Sequence, residues 1–323
     1  MGAFLPGKQK KITLLAVLLL LLTGLSGCGG NRPAPAPEAS GGIRVTDDQG
    51  KTVVLKAPAR RIISLYSAHT ENLFSLGLDQ EVIGVSTTET YPPAALGKPA
   101  FDYRADPERV LAAQPDLVLI RPFIRQSHPD FVKTLENAKI PVVALYPEKF
   151  AEFDEYIQKL AILTGREPQA QAQLTAFHQR LDAIAARTAQ APVKKRVYFE
   201  TTATEYRTVT ADSLPALLLQ QAGGINVAAD ATPLKGGSSI AAYGTERLLL
   251  KGADIDVYLA QKGPMNPGIT PVAVKARPGF DKIKAVREGQ VFLIDEKLVS
   301  TPTFRLADGA EELAKLLYPE LVK

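Results

Sequence analysis

The chain has 323 residues, 46% of them hydrophobic and 22% charged, with a single Cys and a formal net charge of +4. One cysteine excludes an internal disulfide framework. Three of the positive charges are Lys8, Lys10 and Lys11, which leaves +1 on the rest of the chain and removes the main support for nucleic-acid binding.

Those three lysines precede the apolar run ITLLAVLLLLLTGL. A bilayer span needs roughly 20 apolar residues, so the run reads as an export signal over residues 1–27. LSGC follows and resembles the bacterial lipoprotein box, in which Cys28 becomes the lipidated first residue of the mature chain; the alternative is an ordinary signal peptide with a chance Cys. Residues 28–42, with GGNRPAPAPEASGG, have no apolar periodicity and read as a tether holding a folded body off a membrane.

IRVTDDQGKTVVL predicts a hairpin around Asp48-Gln49-Gly50. RIISLY is a strand, HTENLFSLGL a helix, EVIGVS a strand, DPERVLAAQ a short helix and DLVLI a strand. PDFVKTLENAK, IPVVALY and FAEFDEYIQKLAILTG then give helix, strand and helix, the last closing on Gly165. Short apolar strands alternating with helices predict a mainly parallel sheet flanked by helices, over residues 43–165. Between 166 and 190, Ala170, Leu174, Phe177, Leu181 and Ile184 recur at helical spacing, which predicts one uninterrupted bridging helix. The alternation resumes over 191–323 with RVYFET, SLPALLLQQAGG, TERLLLKG, IDVYLA, GFDKIKAV, QVFLID and DGAEELAKLLY. The Gly-rich LKGGSSI reads as a flexible loop; it lacks the strand–loop–helix context of an anion cradle.

One phrase occurs twice. ERVLAAQPD leads into the strand LVLI, and ERLLLKGAD leads into IDVYLA. The expected fold is α/β with two similar lobes, each a mainly parallel sheet flanked by helices, joined by one long helix with a ligand cleft between the lobes. Glu108 and Glu246 then stand at equivalent helix starts, where the helix dipole favours a carboxylate. From spacing alone they are either helix-capping acids or a matched pair of rim acids. No GxSxG, HExxH, GxGxxG or Walker-type motif occurs. Binding without catalysis is the expected activity, and no cofactor is expected.

TDDQGKTVVL, PARRIISL, VIGVS, DPERVLAAQPDLVL and GGINV together resemble the substrate-binding proteins of ABC importers of the iron-chelate and cobalamin class, over essentially the whole mature chain. The resemblance implies two α/β lobes bridged by one helix, with a metal chelate between them. It also implies one Glu on each lobe, here Glu108 and Glu246, docking on a permease dimer that works with ATPase subunits. The implied protein is an extracytoplasmic, lipid-anchored monomer.

The ligand is expected where strand carboxyl ends meet across the cleft. First-lobe candidates are Tyr66 and His69, Thr88 and Tyr91, Tyr103 and Arg104, and Arg121 and Arg125; second-lobe candidates are Tyr206, Arg207, Gln261 and Arg305. Arg forks take carboxylate, catecholate or phosphate oxygens in two-point fashion and stack on rings. The chain has no Trp, and Thr88 and Asp102 stand where cobalamin binders carry aromatic rings. The expected cargo is therefore an anionic iron chelate such as a siderophore, with cobalamin, or haem through His69 or a Tyr, as alternatives. A free-cation site using His69 and His128 needs three or four ligands, and His178 lies on the bridging helix. A surface scaffold lipoprotein is the competing class.

Overall fold

The computed structural model describes residues 42–105, 107–235 and 238–322. The export signal, Cys28 and nearly all of the tether lie outside the described residues. No helix among the described residues is long and apolar enough to cross a membrane.

A hairpin opens the chain, β1 (Ile43–Thr46) against β2 (Thr52–Leu55). Gly50 turns it at φ 78°, and the Asp47 carboxylate accepts from the backbone N–H of Gln49 and Lys51. Next come β3 (Ile62–Ser64), α1 (Ser67–Ser75), β4 (Val82–Ser86), β5 (Ala100–Phe101), α2 (Glu108–Ala112) and β6 (Leu117–Ile120). The lobe is completed by α3 (Pro122–Ser127), α4 (Pro129–Asn137), β7 (Val142–Ala144) and α5 (Phe153–Thr164). Its sheet has the order β5-β4-β3-β6-β7 and is parallel throughout. Every residue of β3, β6 and β7 is buried, as apolar strands covered on both faces require.

The long helix α6 spans Glu167–Thr188, about 33 Å at 1.5 Å per residue. Its buried stripe is Ala170, Leu174, Phe177, Leu181, Ile184 and Thr188.

The second lobe contains β8 (Arg196–Glu200), β9 (Thr208–Val209), α7 (Leu214–Gln221), β10 (Ile225–Asn226), β11 (Thr232–Pro233) and β12 (Ile240–Ala242). It continues with α8 (Thr245–Leu250), β13 (Val257–Lys262), α9 (Pro271–Lys275), α10 (Lys284–Arg287), β14 (Val291–Asp295), α11 (Glu296–Val299) and α12 (Leu306–Leu317). The main sheet, β10-β8-β13-β14, is parallel and repeats the order β4-β3-β6-β7 of the first lobe. The small antiparallel sheet β11-β12-β9 has no apolar run long enough to announce it. GFDKIKAV divides into a short 3-10 turn and α10.

The duplication extends to backbone detail, with one shift. Asp116, just before β6, accepts at 2.9 Å from the backbone N–H of Arg61 beside β3, and its own N–H donates to the Arg61 carbonyl. In the second lobe Asp256 does both for Arg196, also at 2.9 Å from its carboxylate. The counterpart of Asp116 is therefore Asp256, not Asp254, which shares its place in the repeated phrase. The 3-10 turn Gly252–Asp254 inserts two residues before the strand begins.

One continuous apolar core runs beneath both sheets and takes in the stripe of α6. Phe177 of α6 lies 5.0 Å from Phe153 of the first lobe and 6.1 Å from Phe304 of the second, measured between ring centroids. The opposite faces of the sheets have separate cores. A shared core of this kind resists wide separation of the lobes, since opening would expose close-packed apolar surface.

Candidate functional site

Three neighbouring strands of the first lobe, β3, β6 and β7, are each followed within two residues by an aromatic or basic side chain. Tyr66, Arg121 and Tyr146 thus come side by side along the carboxyl edge of the sheet. The Arg121 guanidinium carbon sits 4.8 Å from the Tyr66 ring centroid and 4.5 Å from that of Tyr146. The two rings are 6.0 Å apart at 55°. Arg121 has extended backbone and is followed by Pro122, which starts α3 and prevents β6 from continuing. Its Nε is buried without a protein partner.

Arg121 and Tyr146 line a cavity of 510 Å³ between the lobes, within the usual range for small-molecule sites, and Tyr66 backs them through its contact with Arg121. The first lobe lines it with Arg121, Gln126, Tyr146 and Glu148. The second contributes Thr201 after β8, Gln261 in β13, Ser300, and Lys235, Ser238 and Ser239 from the connection between β11 and β12. Strand register makes Gln261 the counterpart of Arg121: Leu117 and Val257 occupy matching places beside β3 and β8, and each residue lies four further on. The pseudo-two-fold is thus chemically unequal. One wall offers a cation between rings; the other offers an amide and hydroxyls. Gln261 is buried, and its Oε1 accepts from the Ser300 hydroxyl.

Electrostatics sharpen this asymmetry. Burial pushes the Tyr66 and Tyr146 hydroxyls upward, against the pull of Arg121, so both remain neutral phenols. Burial also raises the Glu148 carboxyl, while Arg121 and Lys235 pull it down. Neutral phenols and a guanidinium suit an anionic guest better than a bare cation.

The other sequence candidates lie elsewhere. His69 is fully buried on α1; one ring nitrogen pairs with the Tyr156 hydroxyl at 2.7 Å and the other with the Ile120 carbonyl at 3.1 Å. Burial lowers its pKa to about 4, so it serves as a neutral core group and is not among the residues lining the cavity. His128 stacks edge-on against Tyr103 at 4.9 Å, and His178 pairs with Asp154 at 2.9 Å, so the three histidines do not converge. Arg104 covers the Tyr103 ring at 4.7 Å. Arg125 is tied to Asp47 at 2.6 Å and to the Val142 carbonyl, bracing the N-terminal hairpin. The Thr88 hydroxyl bonds that of Ser86 at 2.8 Å. Tyr206 packs on Phe280 and beneath Arg277, and Arg207 pairs with Glu205. Arg305 covers Tyr91 at 4.3 Å and reaches Glu71 at 3.3 Å, at the seam between lobes. Of the ligand candidates, Arg121 and Gln261 line the cavity, and Tyr66 packs against Arg121.

Sequence reasoning missed Tyr146, Glu148, Lys235, Ser238, Ser239, Ser300 and Thr201. Tyr146 ends a predicted strand as Tyr66 does, so the same rule applied to IPVVALY finds it. Lys235 and the two serines sit in LKGGSSI, whose described part is a lining segment rather than a free loop: Leu234 N–H donates to Ile240 O, and Ser238 Oγ accepts from Ile240 N–H.

Glu108 and Glu246 are both exposed, near the starts of α2 and α8, which precede the equivalent strands β6 and β13. These helices have only five and six residues, so the dipole contributes less than the sequence pattern implied.

Comparison with known proteins agrees with this architecture. The uncharacterized ABC transporter substrate-binding lipoprotein YvrC of Bacillus subtilis is 27% identical over 98% of this chain and 99% of its own length. A vitamin B12-binding protein of Vibrio cholerae is 24% identical, covering 80% of this chain and 90% of its own. The crystal structure of a possible iron-binding periplasmic solute-binding protein from Staphylococcus epidermidis superposes with a TM-score of 0.71 at 25% identity, over 81% of this chain and all of that one. The model of the periplasmic binding protein family matches residues 62–298, from β3 through α11. With two lobes, one bridging helix and a cleft between them, the chain belongs to the periplasmic binding protein family, whose members bind solutes and are not enzymes.

Proposed function

We propose that the protein captures an anionic metal chelate, a ferric siderophore foremost, between its lobes and delivers it to an ABC permease dimer with its ATPase subunits. The observation that carries this reading is Arg121, held between Tyr66 and Tyr146 with a buried, unpartnered Nε beside the inter-lobe cavity. A guanidinium with an N–H left without a protein partner attracts an oxygen-rich anion strongly. The adjacent rings supply apolar surface for a flat or aromatic ligand. The cargo brings its own metal ligands, because the nearby phenols are neutral and both His69 nitrogens are engaged.

Tyr66, Arg121 and Gln261 form the proposed binding floor, joined by Tyr146, Lys235 and Ser238. Glu108 and Glu246 are the proposed docking acids, one per lobe, for a partner with two-fold symmetry. Exposed ion pairs of this kind contribute little affinity but set register. Cys28 is the proposed lipid attachment point, with residues 28–42 as tether, so the body works as a monomer at the outer face of the cell membrane. Cys28→Ser is expected to move the protein from the membrane pellet to the soluble fraction.

A corrinoid is the second reading, favoured by the likeness to the Vibrio cholerae protein. The visible spectrum of the protein purified from its native host decides between the two. Ferric siderophore charge-transfer bands support the first, and corrinoid bands the second. A colourless protein with no small molecule in native mass spectrometry would overturn both.

A further inference from the structure

The arginine of the repeated Glu-Arg pair is unexplained by ligand binding, yet both lobes treat it alike. Glu108 and Glu246 are exposed, while Val110 and Leu248, two residues on, are 1% and 0% exposed. Between them, each arginine lies against an aromatic ring. The Arg109 guanidinium carbon is 5.6 Å from the Phe101 centroid, and its Nη2 donates to the Ala100 carbonyl at 3.5 Å. The Arg247 carbon is 4.5 Å from the Tyr243 centroid, and its Nη2 pairs with Asp230.

The rings are themselves fixed. Each is 6% exposed and comes from the segment just before its helix. Phe101 packs over Gly84, where a Cβ would stand 2.3 Å from the ring, and the Tyr243 hydroxyl donates to the Val227 carbonyl. At 3.6 residues per turn, consecutive helical residues turn by about 100°. A ring contact at the second residue and burial of the third together define where the first one points. Helices of five and six residues are too short for their own backbone hydrogen bonds to hold that orientation.

We propose that Arg109 and Arg247 are positioning residues for docking: each clamps its short helix to an aromatic ring so that Glu108 and Glu246 present a fixed direction to a two-fold permease. This rests on the docking role proposed above for the two acids. A partner with two matched basic pockets reads both directions at once, so rotation of either helix loses one contact and the register it supplies.

The test places the full-length chain under a titratable promoter in a host lacking its own copy. Uptake is followed with iron-55 supplied as a ferric catecholate and cobalt-57 supplied as cyanocobalamin. The double variant Arg109→Gln/Arg247→Gln is expected to need about tenfold more binding protein for half-maximal uptake, with the same plateau and unchanged affinity of the purified protein for the transported label. Arg109→Lys/Arg247→Lys is expected to recover most of that loss, because an ammonium also binds a ring face. If the Gln pair lowers the melting temperature by more than a few degrees, the single Gln variants are read in the same assay, each expected to cost about threefold. Glu108→Lys/Glu246→Lys separates the two levels of the argument. If charge reversal abolishes uptake while the Gln variants match wild type, or if Gln and Lys variants are equally impaired, the positioning role fails and the docking reading stands. If charge reversal leaves uptake intact, or neither label enters in a chain-dependent way, the docking reading fails and takes this inference with it.

Discussion

Arg305, just before α12 in the second lobe, reaches across to Glu71 on α1 of the first, 3.3 Å from its carboxylate. The Glu71 side chain is only 2% exposed, and burial raises its pKa against the opposing pull of Arg305. Close by, Asn72 donates to the Pro302 carbonyl at 2.8 Å and Lys297 to Ser67 at 3.3 Å. This seam joins the lobes independently of α6. Arg305→Ala strands a buried carboxylate, for which a loss of about 3 kcal/mol is typical. Urea unfolding of Arg305→Ala and Glu71→Gln should show the first clearly less stable than the second. Equal midpoints would mean that Glu71 needs no partner.

Glu89 predicts a pH dependence. Its Oε1 accepts from Thr70 at 3.0 Å, and its Oε2 is buried without a partner. Burial pushes the carboxyl up to about 7 from 4.5, against Thr70 and Lys297, with Glu71 adding to the rise. A raised carboxyl disfavours the ionised form in the folded chain. Its contribution is therefore most favourable below about 4.5 and is lost as pH rises through about 7. Glu89→Gln should gain stability relative to wild type between pH 5 and pH 8, as measured by denaturation midpoints. Parallel curves for the two proteins would contradict this.

Arg121 predicts a binding phenotype without a folding one. Its removal should weaken chelate affinity about 10- to 100-fold, the scale of a hydrogen bond to a charged group. Arg121→Lys should restore little, since an ammonium supplies neither the fork nor the plane. Titration of the purified protein with a ferric chelate, followed by tyrosine fluorescence, measures both. Full affinity in the Lys variant would reduce Arg121 to a point charge.

Gly309 sits in α12 where helix propensity and packing disagree. Propensity favours Ala there by about 1 kcal/mol. A Cβ, however, would lie 2.1 Å from the Leu298 carbonyl oxygen, a backbone atom that cannot rotate away. Overpacking of this kind costs about 1–3 kcal/mol, so Gly309→Ala should be net destabilising in urea. A higher midpoint than wild type would show that α11 shifts freely.

Much of the architecture was legible in advance because it depends on local periodicity. The stripe of Ala170, Leu174, Phe177, Leu181 and Ile184 is spaced for one helix face, and all five side chains are buried. The short apolar strands required cover on both faces, and the sheets have it. The small sheet β11-β12-β9 was not legible, because two- and three-residue strands carry no period to read. It supplies part of the cavity wall through Val209 and Ile240, and its β11–β12 connection adds Lys235, Ser238 and Ser239. The strand-end rule reached Tyr66, Arg121 and Gln261, but it also drew in His69, which the phase of α1 turns into the core.

By itself, then, the amino-acid order determined the alternating elements, the duplicated lobes with their Glu-Arg starts, and the helix that joins them. Each of these follows from contacts between residues near one another in the chain. Tertiary structure alone decided that Arg121 stands between Tyr66 and Tyr146, that Arg305 belongs to the seam, and that Asp256 rather than Asp254 answers Asp116. Those facts depend on which strands pair and in what register, which hydrogen bonds between distant segments settle and residue spacing does not.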